Sequence, residues 1–293
     1  MILYTLPDFT NGLQLNLFFA QLQKSDPNVF LDGVRIGSIY GCFPSCIANG
    51  GRVQGGTRWS REQIETLYSI VDDAGLATRL TLTNLLLEER HLEDEYLGLV
   101  LASARGHAVE AIVANDVLDS YIRGSFPSMP RILSTTREIL GLEELDRATI
   151  DFDYVVLDYR LHRDYDFIGS IKQPEKVEVM VNEYCSADCP RRQHHYLENS
   201  RNQLSGEMKM YPCVQERSKG FVDELMAHNP NHPVRLTTDD VRVLHDKFGI
   251  SNFKIVGRGM AAAIVLKELL YYLIKPEYRL QVENAIVRLG LVP

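Results

Sequence analysis

The sequence predicts an α/β fold: a (β/α)8 barrel of the TIM type, closed or nearly closed, with an insertion after its seventh strand. Three observations predict it. Short β-rich runs alternate with segments of helical periodicity almost from end to end. These runs number eight. Most are separated by the dozen or more residues that a crossover between adjacent parallel strands requires. A doubly wound open sheet is the alternative, and the count of eight favours closure.

The elements follow in order. Ile2–Thr5 is the first strand. Gly12–Lys24 is a helix whose Leu13, Leu15, Leu17, Phe18 and Leu22 recur at roughly helical spacing. Val34–Tyr40 is the second strand. Ser60 then offers an N-cap hydroxyl and Gln63, three residues on, can reach back to it; this capping-box pattern starts a helix that Gly75 ends. Thr78–Thr83 is the third strand, and Glu93–Arg105 is a helix closed by Gly106. Ala111–Ala114, Arg131–Ser134, Tyr154–Asp158 and Val177–Val181 are strands four to seven, with a helix over Asp116–Arg123 after the fourth. Thr238–Phe248 is a helix capped by Thr237 or Thr238, Asn252–Val256 is strand eight, and Met260–Lys275 begins a terminal helical region. The stretch 190–233 is too long for a simple connection and has little periodicity. It reads as an inserted segment within one domain spanning 1–293, and long loops of this kind often serve function.

Composition narrows the functional classes. The chain has 293 residues, 45% hydrophobic and 24% charged, an ordinary globular balance. Its net charge of −8 argues against broad non-specific nucleic-acid binding, which needs a basic surface, while leaving room for a local basic groove. No basic segment followed by an apolar run opens the chain, and no stretch approaches a membrane span. A cytoplasmic location with reduced thiols is therefore expected, not a disulfide framework. No Gly-x-Gly-x-x-Gly, P-loop, Gly-x-Ser-x-Gly or His-Glu-x-x-His pattern is present, so nucleotide binding and ordinary serine or zinc peptidase chemistry find no support in motifs.

The five cysteines stand out. Cys42 and Cys46 follow the second predicted strand, and Cys185 and Cys189 follow the seventh, each as Cys-x3-Cys; Cys213 lies within the insertion. On a barrel both pairs face the same mouth, and Cys213 can return to it. Gathered thiolates suit a [4Fe–4S] cluster or tetrahedral zinc. Structural zinc usually prefers Cys-x2-Cys, and Cys189-Pro190 is a step common around clusters. The plainer alternative makes Cys42 and Cys46 small apolar fillers. His194-His195 could supply a zinc ligand, but more simply marks a half-exposed helix start. Arg191-Arg192 there could meet an anionic substrate or merely be solvated.

Ligands bind at the carboxyl ends of strands in such folds. Those ends carry Asn49-Gly50-Gly51-Arg52, Thr83-Asn84, Asp158-Tyr159-Arg160, Asn182-Glu183 and Gly257-Arg258. Strand ends border solvent in any case, so each residue alone is expected to serve structure. As a set they predict a polar pocket, with Glu183 as acid or base and Arg258 as a bidentate carboxylate clamp. Asn182, Arg52, Asn84 and Tyr159 would line it. The structural alternative is an ion pair joining Glu183 to an arginine.

Val-Asn-Glu-x-Cys-x-x-x-Cys-Pro-x-Arg-x-x-His-Tyr, from Val181 to Tyr196, resembles the cysteine segment of the U-thirty-two "collagenase-like peptidase" family. Phe253-Lys254-Ile255-Val256-Gly257-Arg258 is similar to that family's Phe-Lys-Ile-x-Gly-Arg segment, and Val34–Arg52 is reminiscent of it too. The resemblance implies a barrel-type catalytic domain. It also implies [4Fe–4S] binding, as in members that assist oxygen-independent hydroxylation in ubiquinone synthesis or hydroxylate RNA bases. It carries Cys185, Cys189 and Cys213 over as cluster ligands, with Cys42 or Cys46 as the fourth. The spacing departs from that of the better-known members, and the further carboxyl-terminal domain of larger members is not expected. Three functions follow as expectations: an iron–sulfur protein of redox or hydroxylation type, a peptidase acting on peptides or collagen-like substrates, and a non-enzymatic protein with a structural zinc site. The substrate would be a small molecule, a peptide or RNA; a protein partner or oligomer is compatible, a membrane is not expected.

Overall fold

A computed structural model describes residues 1–52, 54–187, 189–207, 209 and 231–292. Eight parallel strands close a barrel in sequence order, each bonded to the next and the eighth to the first. They are β1 (Ile2–Pro7), β2 (Val34–Gly41), β3 (Ala77–Leu82), β4 (Val109–Val113), β5 (Arg131–Leu133), β6 (Tyr154–Val156), β7 (Val177–Met180) and β8 (Asn252–Lys254). The open-sheet alternative is thereby set aside.

The helices flank this barrel in the expected alternation: α1 (Leu13–Ser25), α2 (Arg61–Asp73), α3 (Glu95–Ser103), α4 (Asp116–Ser125), α5 (Leu142–Asp151), α6 (Tyr165–Gly169), α7 (Arg192–Ser205), α8 (Thr238–Phe248), α9 (Ala262–Leu273) and α10 (Arg279–Arg288). The capping box at α2 forms as read, with the Ser60 hydroxyl accepting from the Gln63 N–H and the Gln63 side chain accepting from the Ser60 N–H. Thr237 caps α8 the same way, with Asp240 as its partner. The terminal helical region is two helices, because Pro276 cannot continue the first. Among the described residues no helix is long and apolar enough to cross a membrane.

Helix-facing side chains of the strands pack on the inner faces of the helices as one large apolar core. The barrel interior is different. Its inward positions, two residues apart on each strand, form two layers. The lower layer is polar: Thr5, Ser38, Arg79, Glu110 and Glu178. Arg79 is bonded to Glu178, to Glu110 at 2.5 Å and to the Thr5 hydroxyl at 2.7 Å; Thr5 also donates to Glu178 at 2.8 Å. Two residues on towards the mouth, Tyr40, Ile112, Val156 and Met180 form an apolar layer with Ile132, Tyr159, Tyr184 and Val234. Lys254 stands between the layers, in register with Thr5 on one side and Met180 on the other. An ionic layer thus lies beneath an apolar one at the base of the mouth.

Candidate functional site

The mouth is covered by α7, the helix that follows the thiol-bearing turn. Its first residue, Arg192, reaches the loops after β5 and β6 through Thr135 and Asp158, at 3.5 and 3.6 Å. Its later turns bond the loops after β2 and β3. Asn199 donates to the Gly51 carbonyl at 2.9 Å, Ser200 accepts from the Leu85 N–H, and Gln203 donates to the Cys46 and Gln54 carbonyls. A 14-residue helix is about 20 Å long, so these anchors lay it across the carboxyl end of the barrel. The side chains it buries are Arg192, Asn199, Ser200 and Gln203. The roof of the site is therefore built from polar side chains, Asn199, Ser200 and Gln203 bonding loop backbone and Arg192 reaching side chains.

One wall is the turn after β7. Asn182 is fully buried, and its amide exchanges two bonds with Val256, accepting from the N–H at 2.7 Å and donating to the carbonyl at 2.9 Å. It thus locks the ends of β7 and β8 together. Glu183 takes the Tyr184 N–H on Oε1 at 2.6 Å, which turns the chain into the thiol loop. Cys185 and Cys189 are both half-buried free thiols on this loop. Burial first, and then the Glu183 charge, push the Cys185 thiol up to about 12. A thiol so placed stays protonated unless a cation stabilises the thiolate. Tyr159 braces the loop by donating to the Ser186 carbonyl at 2.7 Å, and the Arg192 guanidinium lies over its ring at 4.0 Å. Arg192 also donates to the Tyr196 hydroxyl at 3.0 Å. Glu183, Cys185 and Arg192 thus belong to one electrostatic neighbourhood.

The adjoining wall joins β1, β2 and β8. Arg258 is buried and donates to the Gly50 carbonyl at 2.7 Å and to the Cys42 Sγ at 3.4 Å. Asp8 accepts from the Gly259 N–H and ties that loop to the end of β1. Burial raises the Cys42 thiol, with Arg258 opposing. Cys46 is sealed in the apolar layer between barrel and helices, near Tyr68 and Tyr96, and burial pushes its thiol up to about 12. Gly50 packs against β3 so closely that an added Cβ would lie 2.2 Å from the Thr83 carbonyl atoms. Gly50→Ala is therefore expected to cost on the order of 2–3 kcal/mol, since backbone rather than a movable side chain must yield. Thermal unfolding checks it; an unchanged Tm would refute the close approach.

The structure distributes the sequence-selected residues as follows. Glu183, Cys185, Cys189 and Tyr159 share the β6–β7 wall; Cys42, Arg52 and Arg258 belong to the β2–β8 wall. Among the described residues no ion pair joins Glu183 to Arg258, because the guanidinium is committed to Gly50 and Cys42. Asn84 donates to the Ile47 and Ser200 carbonyls and accepts from the Leu86 N–H. Like Asn182 and Tyr159 it bonds main chain and so holds loops in place, whereas Arg52 is half-buried. Cys213 lies outside the described residues, as does half of the 190–233 insertion, whose first part forms α7. Among the described residues no three His, Cys, Asp or Glu side chains stand close enough to hold a metal ion. Sequence reasoning passed over Arg79, Glu110 and Glu178. The signal was there: charged residues within short, otherwise buried parallel strands.

No family model matches the chain, and no curated protein matches it. Among solved structures, the fold is similar to that described as "The Structure of the U32 Peptidase Mk0906", with a TM-score of 0.55 and 12% identity over 88% of this chain and 94% of that one. At that identity the likeness is one of fold. A truncated 3-deoxy-D-arabino-heptulosonate 7-phosphate synthase from Thermotoga maritima aligns with a TM-score of 0.23 and 10% identity, over 100% of this chain and 88% of that one; this carries no argument.

Proposed function

We propose that this chain is a U32-like barrel protein that holds an iron–sulfur cluster on thiolates at its mouth and acts in redox or oxygen-independent hydroxylation chemistry. The observation that carries the reading is the pair of half-buried free thiols, Cys185 and Cys189, on one loop under a polar roof. The donor set fits in part. Cys185 and Cys189 supply two ligands, and Cys213, on the segment that follows α7, would supply the third. Cys42 is the better fourth. Its Sγ already accepts an Arg258 N–H, a bond that also suits a thiolate, whereas Cys46 is sealed away from the mouth.

When bound, the cluster would supply one-electron transfer. The chain's own residues do the rest. Arg192 and Arg258 place positive charge beside the two thiol walls and offset the charge of the thiolates. Glu183 can hold or release a proton beside Cys185. The α7 roof keeps bulk water from the site. A cytoplasmic location is part of this reading, since a cluster of this kind needs reduced thiols. Anaerobically purified protein is expected to be brown with broad visible absorption that Cys185→Ser and Cys189→Ser each abolish while thermal unfolding stays cooperative. Colourless protein that binds no iron on reconstitution would overturn the reading.

Peptide hydrolysis is a second reading, favoured by the fold likeness to a structure named as a peptidase. Gelatin cleavage that persists in chelator would establish it; no cleavage by pure protein would remove it.

A further inference from the structure

The barrel floor holds a lysine that none of this chemistry uses. Lys254 projects inward from β8, buried but with 9% of its side chain still accessible. Its Nζ lies 4.2 Å from the centroid of the Tyr40 ring and 3.9 Å from Glu178 Oε2. That separation is too long for a hydrogen bond. Glu178 Oε1 is taken by Arg79 and Thr5, while Oε2 is buried and has no hydrogen-bond donor among the described residues. On the mouth side the amine faces the Tyr40 ring of the apolar layer, and Met180 of that layer is its register partner on β7.

We infer that Lys254 is a nucleophilic amine that takes an aldehyde or ketone as a Schiff base at the floor of the barrel mouth. The geometry supplies what this chemistry needs: an amine not locked in a tight ion pair and an apolar wall beside it. The amine reacts in its neutral form, its ammonium proton having gone to solvent. The neutral amine then attacks the carbonyl carbon, forming the C–N bond and sending the π pair to oxygen. The two remaining amine protons leave with that oxygen as water, and the C=N bond closes. No oxidant or reductant is required. Burial supports the assignment by pushing the amine down to about 8, against the opposing pull of Glu178. The inference is independent of the thiolate site, which lies on other side chains.

The test is reductive trapping on the intact chain, with glyoxylate or acetaldehyde and cyanoborohydride at pH 8, followed by peptide mapping. Lys254 is expected to be alkylated on the order of tenfold faster than exposed Lys172, because far more of it is neutral at that pH. The preference should vanish in urea and persist in Cys185→Ser, which separates it from the cluster reading. Lys254→Met should fold, since Arg79 still balances Glu178, and should lose the preferred site. Alkylation of Lys254 no faster than Lys172 in folded protein would overturn the inference.

Discussion

Arg79→Met is expected to destabilise the protein by about 3–5 kcal/mol, the usual cost of stranding a buried charge. Arg79 is bonded to both carboxylates of the barrel floor, and Glu178 is fully buried. Without it, Glu178 keeps, among the described residues, only the Thr5 hydroxyl and a lysine beyond hydrogen-bond reach. The pH dependence should change sign as well. Burial works to raise the Glu178 carboxyl, yet Arg79 and Lys254 hold it below the ordinary carboxylate range. A depressed folded value stabilises above the unfolded pKa and is lost as pH falls through the folded one. In Arg79→Met the folded value rises, so stability should instead fall as pH climbs through the unfolded carboxylate range. The double variant Arg79→Met/Glu178→Leu should be more stable than Arg79→Met alone. Urea titrations across pH check both points; a single-variant cost under about 1 kcal/mol would contradict the buried-pair account.

Glu268→Ala is expected to cost a similar amount, about 3–5 kcal/mol, and to disturb the thiol loop too. Glu268 on α9 holds Arg235 by two bonds, at 2.8 and 2.5 Å, both groups being almost completely buried. Arg235 belongs to the segment that returns from the insertion and bridges to Asn182 at the end of β7. Glu268 also accepts from the Tyr184 hydroxyl at 3.4 Å, one residue from Cys185. Removing the carboxylate leaves the guanidinium buried without its bidentate partner and loosens the wall that carries the thiols. Tm should fall, and iron retention should fall with it. A lowered Tm with full iron content would show that the thiol loop does not depend on this pair.

Much of the fold was legible because it rests on local signals. Ser60 and Gln63 name the start of α2, glycines end helices, and eight β-rich runs at crossover spacing close as a barrel. The carboxyl-end rule placed Glu183, Cys185 and Arg258 at one mouth. The bridging role of α7 was not legible, because its buried face is polar and hydrophobic periodicity cannot find such a helix; its partners, Thr135, Gly51 and Asn84, lie far away in sequence. α5 and α6 were passed over too, both short and α6 only five residues long. The absence of a Glu183–Arg258 pair was equally hidden, since the competing acceptors of Arg258 are a backbone carbonyl and a thiol brought in by β2. Arg79, Glu178 and Lys254 sat in plain view inside strands, where reading by strand ends alone overlooks them.

The most direct measurement is iron and acid-labile sulfide per chain in anaerobically prepared protein, for the wild type and for Cys185→Ser, Cys42→Ser and Cys46→Ser. The account predicts about four of each per wild-type chain, the content of one [4Fe–4S] cluster. It predicts retention in Cys46→Ser, whose thiol is sealed behind the barrel, and loss in Cys185→Ser and Cys42→Ser. Stoichiometric zinc in place of iron, or iron unaffected by Cys185→Ser, would contradict it.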